Sequence, residues 1–242
     1  MIQSLLTQPY QRGSSKLRGN HIPCKVIDLG FIDYLASLEI QQNTLKHIKH
    51  KESVDSLFFC EHPSTITVGR TAKKDSVLIP ETELRRSDIR KYDVDRGGDV
   101  TYHGPGQLVV YPVFDLSNYK KDLRWYLNNL EDVIIEVLGF FGIGGVREES
   151  LRGVWVSGKK IASIGIAVRN WITYHGLALN VAADLRYFSY IKPCGLDVTM
   201  TSMEQLIKRK IDTTLIKQVF IDVLAKKFNL SIIREGRSDD RG

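Results

Sequence analysis

The chain has 242 residues, 43% hydrophobic and 26% charged, with a net charge of +6. This composition fits one globular unit and excludes a fibrous or disordered chain, and no run approaches the 18 consecutive apolar residues of a membrane span. The basic balance would steer an acidic protein, a nucleic acid or an anionic membrane alike, and the three cysteines, Cys24, Cys60 and Cys194, include no C-x-x-C pair for zinc or a dithiol, so a reducing compartment fits.

In chain order, residues 1–27 carry Arg12, Lys16, Arg18 and Lys25 without an acid. Pro9, Gly13, Gly19 and Pro23 interrupt any long amphipathic run, so a flexible N-terminal extension is preferred to an organelle presequence. A single domain is expected over 28–234, followed by a polar tail at 235–242. Apolar residues at helical spacing from Ile32 to Ile48 predict a helix that Asp33 caps. Leu57–Cys60 and Thr65–Val68 read as short buried strands. Val109–Phe114 reads as a strand too, but Pro112 cannot donate to a ladder and places it at an edge or a bulge.

A second helix is predicted over Asp122–Leu138, ended by the glycine-rich stretch 139–145. Val154–Val156, Ile161–Val168 and Ile172–Val181 then form an antiparallel meander with turns at Ser157-Gly158 and Arg169-Asn170. A last helix runs from about Thr214 to Phe228. Strands and helices mix without strict βαβ alternation, so the fold class is α/β (α+β) with a mixed, partly antiparallel sheet flanked by helices. Neither G-x-G-x-x-G nor G-x-x-x-x-G-K-[ST] occurs, which argues against a dinucleotide or P-loop enzyme.

Three strings carry chemistry: RGGDVTYHGPGQ (Arg96–Gln107), GKKIASIG (Gly158–Gly165) and IKPCGLD (Ile191–Asp197). Glycines in the first permit close backbone approach to a ligand, although turns are their commonest use. Arg96, Tyr102, His103 and Gln107 in the same dozen residues exceed what a turn requires.

Cys194, between Pro193 and Gly195, reads as a loop thiol that substrate can reach, whereas most lone cysteines are small buried hydrophobes. A cysteine of pKa ~8.5 is only ~3% thiolate at neutral pH. An ammonium ~4 Å away contributes at most about 4 kcal/mol at an effective dielectric of 20, enough to make thiolate the major form. Lys160 is one candidate for that cation; His103 and His175 are alternative bases, and on residue chemistry alone the Cys–His pairing stands close behind Cys–Lys. No histidine shows metal-ligand spacing, so neither a metal nor another cofactor is expected.

These strings, with EHPSTITVGR (Glu61–Arg70) and IKPCGLDVTMTSM (Ile191–Met203), resemble the lipoate-biosynthesis octanoyltransferases, over about Asp28–Leu206. The resemblance implies a fold like the biotin/lipoate protein ligase catalytic domain. It implies transfer of an octanoyl group from octanoyl-acyl carrier protein to a specific lysine of lipoyl-domain proteins, through a thioester on Cys194 with Lys160 lowering the thiol pKa. Carried over by position, Arg96, Gly97, Gly98, Asp99, Val100, Thr101, Tyr102 and His103 would line the acyl site. Ser163, Ile164 and Gly165 would join them, with Gly176, Leu177 and Ala178.

An apolar channel for about seven chain carbons, at ~0.8 kcal/mol per methylene, would set chain-length preference at about fourfold per carbon. The expected partners are acidic acyl carrier protein and lipoyl domains, with no nucleic acid and no membrane. The expected compartment is the cytoplasm, or a mitochondrion or plastid if the extension were a presequence. The rival readings are an ATP-dependent lipoate or biotin ligase on the same fold, which needs no cysteine, and a nucleic-acid binder, for which no recognition motif occurs.

Overall fold

The computed structural model describes residues 21–149, 151–192 and 198–234. Eleven described strands are β1 (Ile22–Phe31), β2 (Asp55–Glu61), β3 (Thr65–Val68), β4 (Arg90–Asp93), β5 (Val100–His103), β6 (Gln107–Val113), β7 (Val146–Glu148), β8 (Leu151–Val156), β9 (Lys159–Arg169), β10 (Ile172–Asn180) and β11 (Leu230–Arg234). The helices are α1 (Tyr34–Lys49), α2 (Glu81–Arg86), α3 (Leu123–Phe140), α4 (Met203–Ile207) and α5 (Thr213–Phe228).

Eight strands form one mixed sheet in the order β11-β1-β2-β6-β10-β9-β8-β7, and β4-β3-β5 form a second, smaller one. The mixed sheet flanked by helices is the expected architecture. Its central strands are buried on both faces and so read as continuous apolar runs. Leu57 and Phe59 of β2 and Leu108 and Val110 of β6 pack with α3 and α5 in the main core. Phe58, Cys60, Val109, Tyr111 and Val113, the alternate positions, pack under Ile40, Leu45 and Ile48 of α1. The small sheet has its own core, in which Ile66, Val100 and Tyr102 meet Leu84, Phe188 and Ile191.

Capping residues fix the helix starts. Asp33 accepts from the Leu35 and Ala36 N–H groups, and Asp122 from Trp125 N–H. The meander is present, its two turns built on left-handed pairs: Ser157 (φ 49°) with Gly158 (φ 74°), and Asn170 (φ 54°) with Trp171 (φ 65°), the second one residue later than expected.

Two expectations change. Strand β1 begins at Ile22 and pairs in parallel with both β2 and β11, so the sheet takes in residues before 28. Strand β6 is central, between β2 and β10, so Pro112 does not mark an edge. Its missing donor is accommodated because the pairing with β10 stops at Val110–Leu177. Beyond that point His175 is left-handed (φ 57°) and turns its N–H to Gln41 Oε1 on α1, at 2.8 Å. Backbone pairing resumes where Thr173 N–H donates to Phe114 O, at 2.9 Å.

Candidate active site

A cavity of about 230 Å³ opens between the α1 side of the large sheet and strand β5. The expected residues Arg96, Gly98, Asp99, Val100, Thr101 and His103 line it, with Ser163, Ile164 and Gly165 of β9 and Gly176, Leu177 and Ala178 of β10. Lys160 lines it as well. Two expected residues do not. Tyr102 faces the small core, where it stacks on Tyr187 at 5.1 Å and shares a hydrogen bond with Ser64 Oγ at 3.1 Å. Gly97 is a backbone link: its N–H donates to Ile166 O at 2.8 Å and is therefore committed to the sheet rather than to an oxyanion. Cys194, with Pro193, Gly195, Leu196 and Asp197, lies outside the described residues.

Arg96 anchors one wall. Its Nη2 donates to Thr67 O (2.7 Å) and Thr67 Oγ1 (2.9 Å), its Nε donates to Thr67 Oγ1 (3.2 Å), and its Nη1 donates to Gly97 O (3.1 Å). Burial lowers its pKa, and these fixed acceptors hold the guanidinium against β3. Gly165 makes room for it, since a Cβ there would lie 3.0 Å from both Arg96 Cδ and Gly97 O.

The far wall is polar and neutral. His103 Nδ1–H donates to Gln107 Oε1 at 2.8 Å, because Gln107 Nε2 is already donating to Asn180 Oδ1 at 2.9 Å. Burial pushes the His103 pKa down to about 3. His175 Nε2–H donates to Asp95 Oδ1 at 3.0 Å and its Nδ1 accepts from Tyr34 OH at 3.3 Å; burial lowers its pKa although Asp95 opposes this. Behind them His62 donates from Nδ1 to Ile32 O (2.7 Å) and accepts at Nε2 from Tyr111 OH (2.9 Å), again with a pKa lowered by burial. His103 and His175 are thus each held by structural partners.

Lys160 occupies the other end. Its Nζ lies 4.8 Å from the centroid of the Trp155 ring, a cation–π arrangement. Its backbone N–H donates to Thr199 O (2.8 Å) and its carbonyl accepts from Thr201 N–H (2.9 Å). This short bridge brings Val198 and Met200 into the cavity wall. Asn180 Nδ2 donates to Thr201 O (3.1 Å), tying the same segment to Gln107 and His103.

The lipoyl protein ligase A/B catalytic domain model matches residues 33–225. The chain belongs to that family. Among curated members, the octanoyltransferase of Solibacter usitatus is 47% identical over 183 residues, covering 76% of this chain and 83% of that protein. The octanoyltransferase of Cytophaga hutchinsonii is 38% identical over 227 residues, covering 86% and 93%. Solved structures share the fold at low identity. A structure from an archaeal lipoylation system, the bipartite lipoate protein ligase and its E2 lipoyl domain from Thermoplasma acidophilum, gives a TM-score of 0.68 at 13% identity, with 90% of this chain and 88% of that one covered. Lipoate-protein ligase A bound with ATP gives 0.66 at 13%, with 90% of each covered.

For a member of this family, sequence reading missed several cavity residues: Tyr34, Tyr111, Arg152, Trp155, Phe188 and Met200. Tyr34 and Tyr111 sit at apolar positions of a helix and a strand, where aromatics read as core. Trp155 carried a usable signal, since it precedes the Ser157-Gly158 turn that returns the chain to Lys160. Among the described residues no His/Cys/Asp/Glu group could hold a metal, and no helix is long and apolar enough to cross a membrane.

Proposed function

We propose that this chain is an octanoyltransferase of protein lipoylation, taking the acyl group from octanoyl-acyl carrier protein and passing it to a lipoyl-domain lysine through a thioester on Cys194. The observation that carries the reading is Lys160 on the wall of the cavity, bridged through its backbone to residues 199–201. Cys194 precedes Val198, a lining residue, by four positions, a tether of about 14 Å at full extension. The 38–47% identity to octanoyltransferases supports the reaction class.

The chemistry balances with one lysine. The Cys194 thiolate attacks the donor carbonyl, the bond to the carrier's thiol breaks, and Lys160 ammonium protonates that leaving thiolate. The target amine then attacks the enzyme thioester, neutral Lys160 takes its proton as the C–N bond forms, and the Cys194 thiolate is released. The face of Trp155 lies against the Lys160 ammonium that acts in the first step. The neutral histidines add no competing cation to the cavity wall. Cys24 and Cys60 are both free and buried, which fits a reducing compartment such as the cytoplasm.

Intact-mass spectrometry after mixing with octanoyl-loaded acyl carrier protein, without ATP, tests this. One added octanoyl on the peptide holding Cys194 is expected, absent in Cys194→Ser. Labelling that required ATP would indicate a ligase instead.

A further inference from the structure

Strand β9 does not alternate at its start. Val154 pairs with Ala162 but Trp155 pairs with Lys160, so Ile161 is an extra residue, a β-bulge. Its consequence is the face on which Lys160 stands. Ala162, Ile166 and Val168 belong to or pack against the main core beneath α3 and α5, and strict alternation would send Lys160 there with them. The bulge places both Ile161 and Ala162 in that core and puts Lys160 on the opposite, cavity side.

The opposite strand is shaped to match. Gly153 has φ 127°, and a Cβ there would lie 2.3 Å from Ala162 O and 2.7 Å from Lys160 Cε. Its N–H, next to the slipped register, donates to Oε1 of Glu131 at 3.2 Å. Glu131 lies on α3 with 1% of its surface exposed. Its second oxygen, Oε2, accepts from Arg147 Nε at 2.9 Å and from Arg152 Nη1 at 3.3 Å. A buried carboxylate with two cations and a backbone donor is a costly and geometrically demanding arrangement, and its strand-side contact falls beside the bulge.

We propose that Glu131 is a positioning residue for Lys160, holding the Gly153 kink and the bulge that together turn the lysine onto the cavity. The proposal rests on Lys160 being the working lysine of the reaction above. It predicts that Glu131 acts on the placement of Lys160 without touching substrate.

The test uses the full chain with its lysines reductively ¹³C-methylated, so that the Trp155 ring current marks the Lys160 N-methyl resonance, assigned by its loss in Lys160→Arg. In Glu131→Leu the resonance should move toward the position of exposed lysines, with kcat falling about 10²-fold and KM for the donor little changed, the scale of a misplaced catalytic group. Glu131→Gln keeps an acceptor for Gly153 N–H and should recover the resonance and most of the rate. Should Glu131→Leu not fold, Gly153→Ala reaches the same kink from the strand side and should displace the same resonance. An unmoved Lys160 resonance in folded Glu131→Leu or Gly153→Ala would overturn the proposal. A failure of the Cys–Lys reading shows separately: the pH profile of Cys194 alkylation would then be the same in Lys160→Met as in the parent.

Discussion

Gly165 and Gly176 face each other in register across β9 and β10, and each lacks a side chain for a different reason. A Cβ on Gly176 would lie 2.2 Å from Val110 O, against backbone of a central strand, whereas one on Gly165 would meet Arg96 Cδ and Gly97 O at 3.0 Å. Gly176→Ala should therefore destabilise by several kcal/mol, beyond ordinary overpacking of about 1–3 kcal/mol. Gly165→Ala should cost less stability and more activity, because what must give is Arg96 at the cavity wall. Thermal denaturation with acyl-transfer rates on both variants checks the pair; equal stability losses would contradict it.

Thr67 is fully buried and its hydroxyl accepts from two nitrogens of Arg96. Thr67→Val keeps the shape and the carbonyl acceptor but removes that oxygen beside a desolvated cation. A loss of about 1.5–3 kcal/mol is expected, the range for hydrogen bonds to charged groups. Urea denaturation measures it, and a loss near zero would mean that the carbonyls of Thr67 and Gly97 suffice for Arg96.

Three buried imidazoles make the fold sensitive to acid. His103 has its pKa lowered to about 3, and His62 and His175 are lowered too, against about 6.5 in an unfolded chain. A depressed base stabilises the native state above the unfolded pKa, and that stability is lost as pH falls from about 6.5 toward the folded pKa. For His103 the window runs from about 6.5 down to about 3, at up to about 1.4 kcal/mol per pH unit. His103→Gln should flatten the slope of unfolding free energy in this window, read from denaturation midpoints at a series of pH values.

Asp55 works with the opposite sign. Burial raises its pKa to about 7, although Asp115 N–H (2.9 Å) and Tyr119 OH (2.6 Å) both donate to the carboxylate and oppose the rise. An acid with a raised folded pKa stabilises most below its unfolded value near 4, and that contribution disappears as pH rises to about 7. Asp55→Asn stays neutral and should be more stable than the parent at pH 8, by a few kcal/mol at most. A variant less stable than the parent at pH 8 would show that the two donors outweigh desolvation.

Local signals made much of the fold legible. The Asp33 cap and the Ser157-Gly158 turn are decided by neighbours in the chain and lie where sequence reading put them, and the second helix starts beside the Asp122 with which its predicted span opened. Strands β4, β7 and β11 and the short helices α2 and α4 escaped notice because they are three to six residues long, too short for a period to register. Strand β1 was hidden because Pro23, Lys25, Asp28 and Gly30 interrupt its apolar residues, and only its pairing with both β2 and β11 makes it part of the sheet.

The cavity divides in the same way. The glycine strings were readable because their residue types are unusual for where they stand, and Lys160 stood out through the family resemblance, whereas Tyr34 and Tyr111 resemble ordinary core. Sequence by itself determined the family and the meander, since these depend on residue type and short-range order. Tertiary structure alone decided that Lys160 faces the cavity and not the core: the choice turns on one extra residue at Ile161, beside which a carboxylate from α3 accepts from Gly153 N–H, and no period in the chain records a contact between elements so far apart.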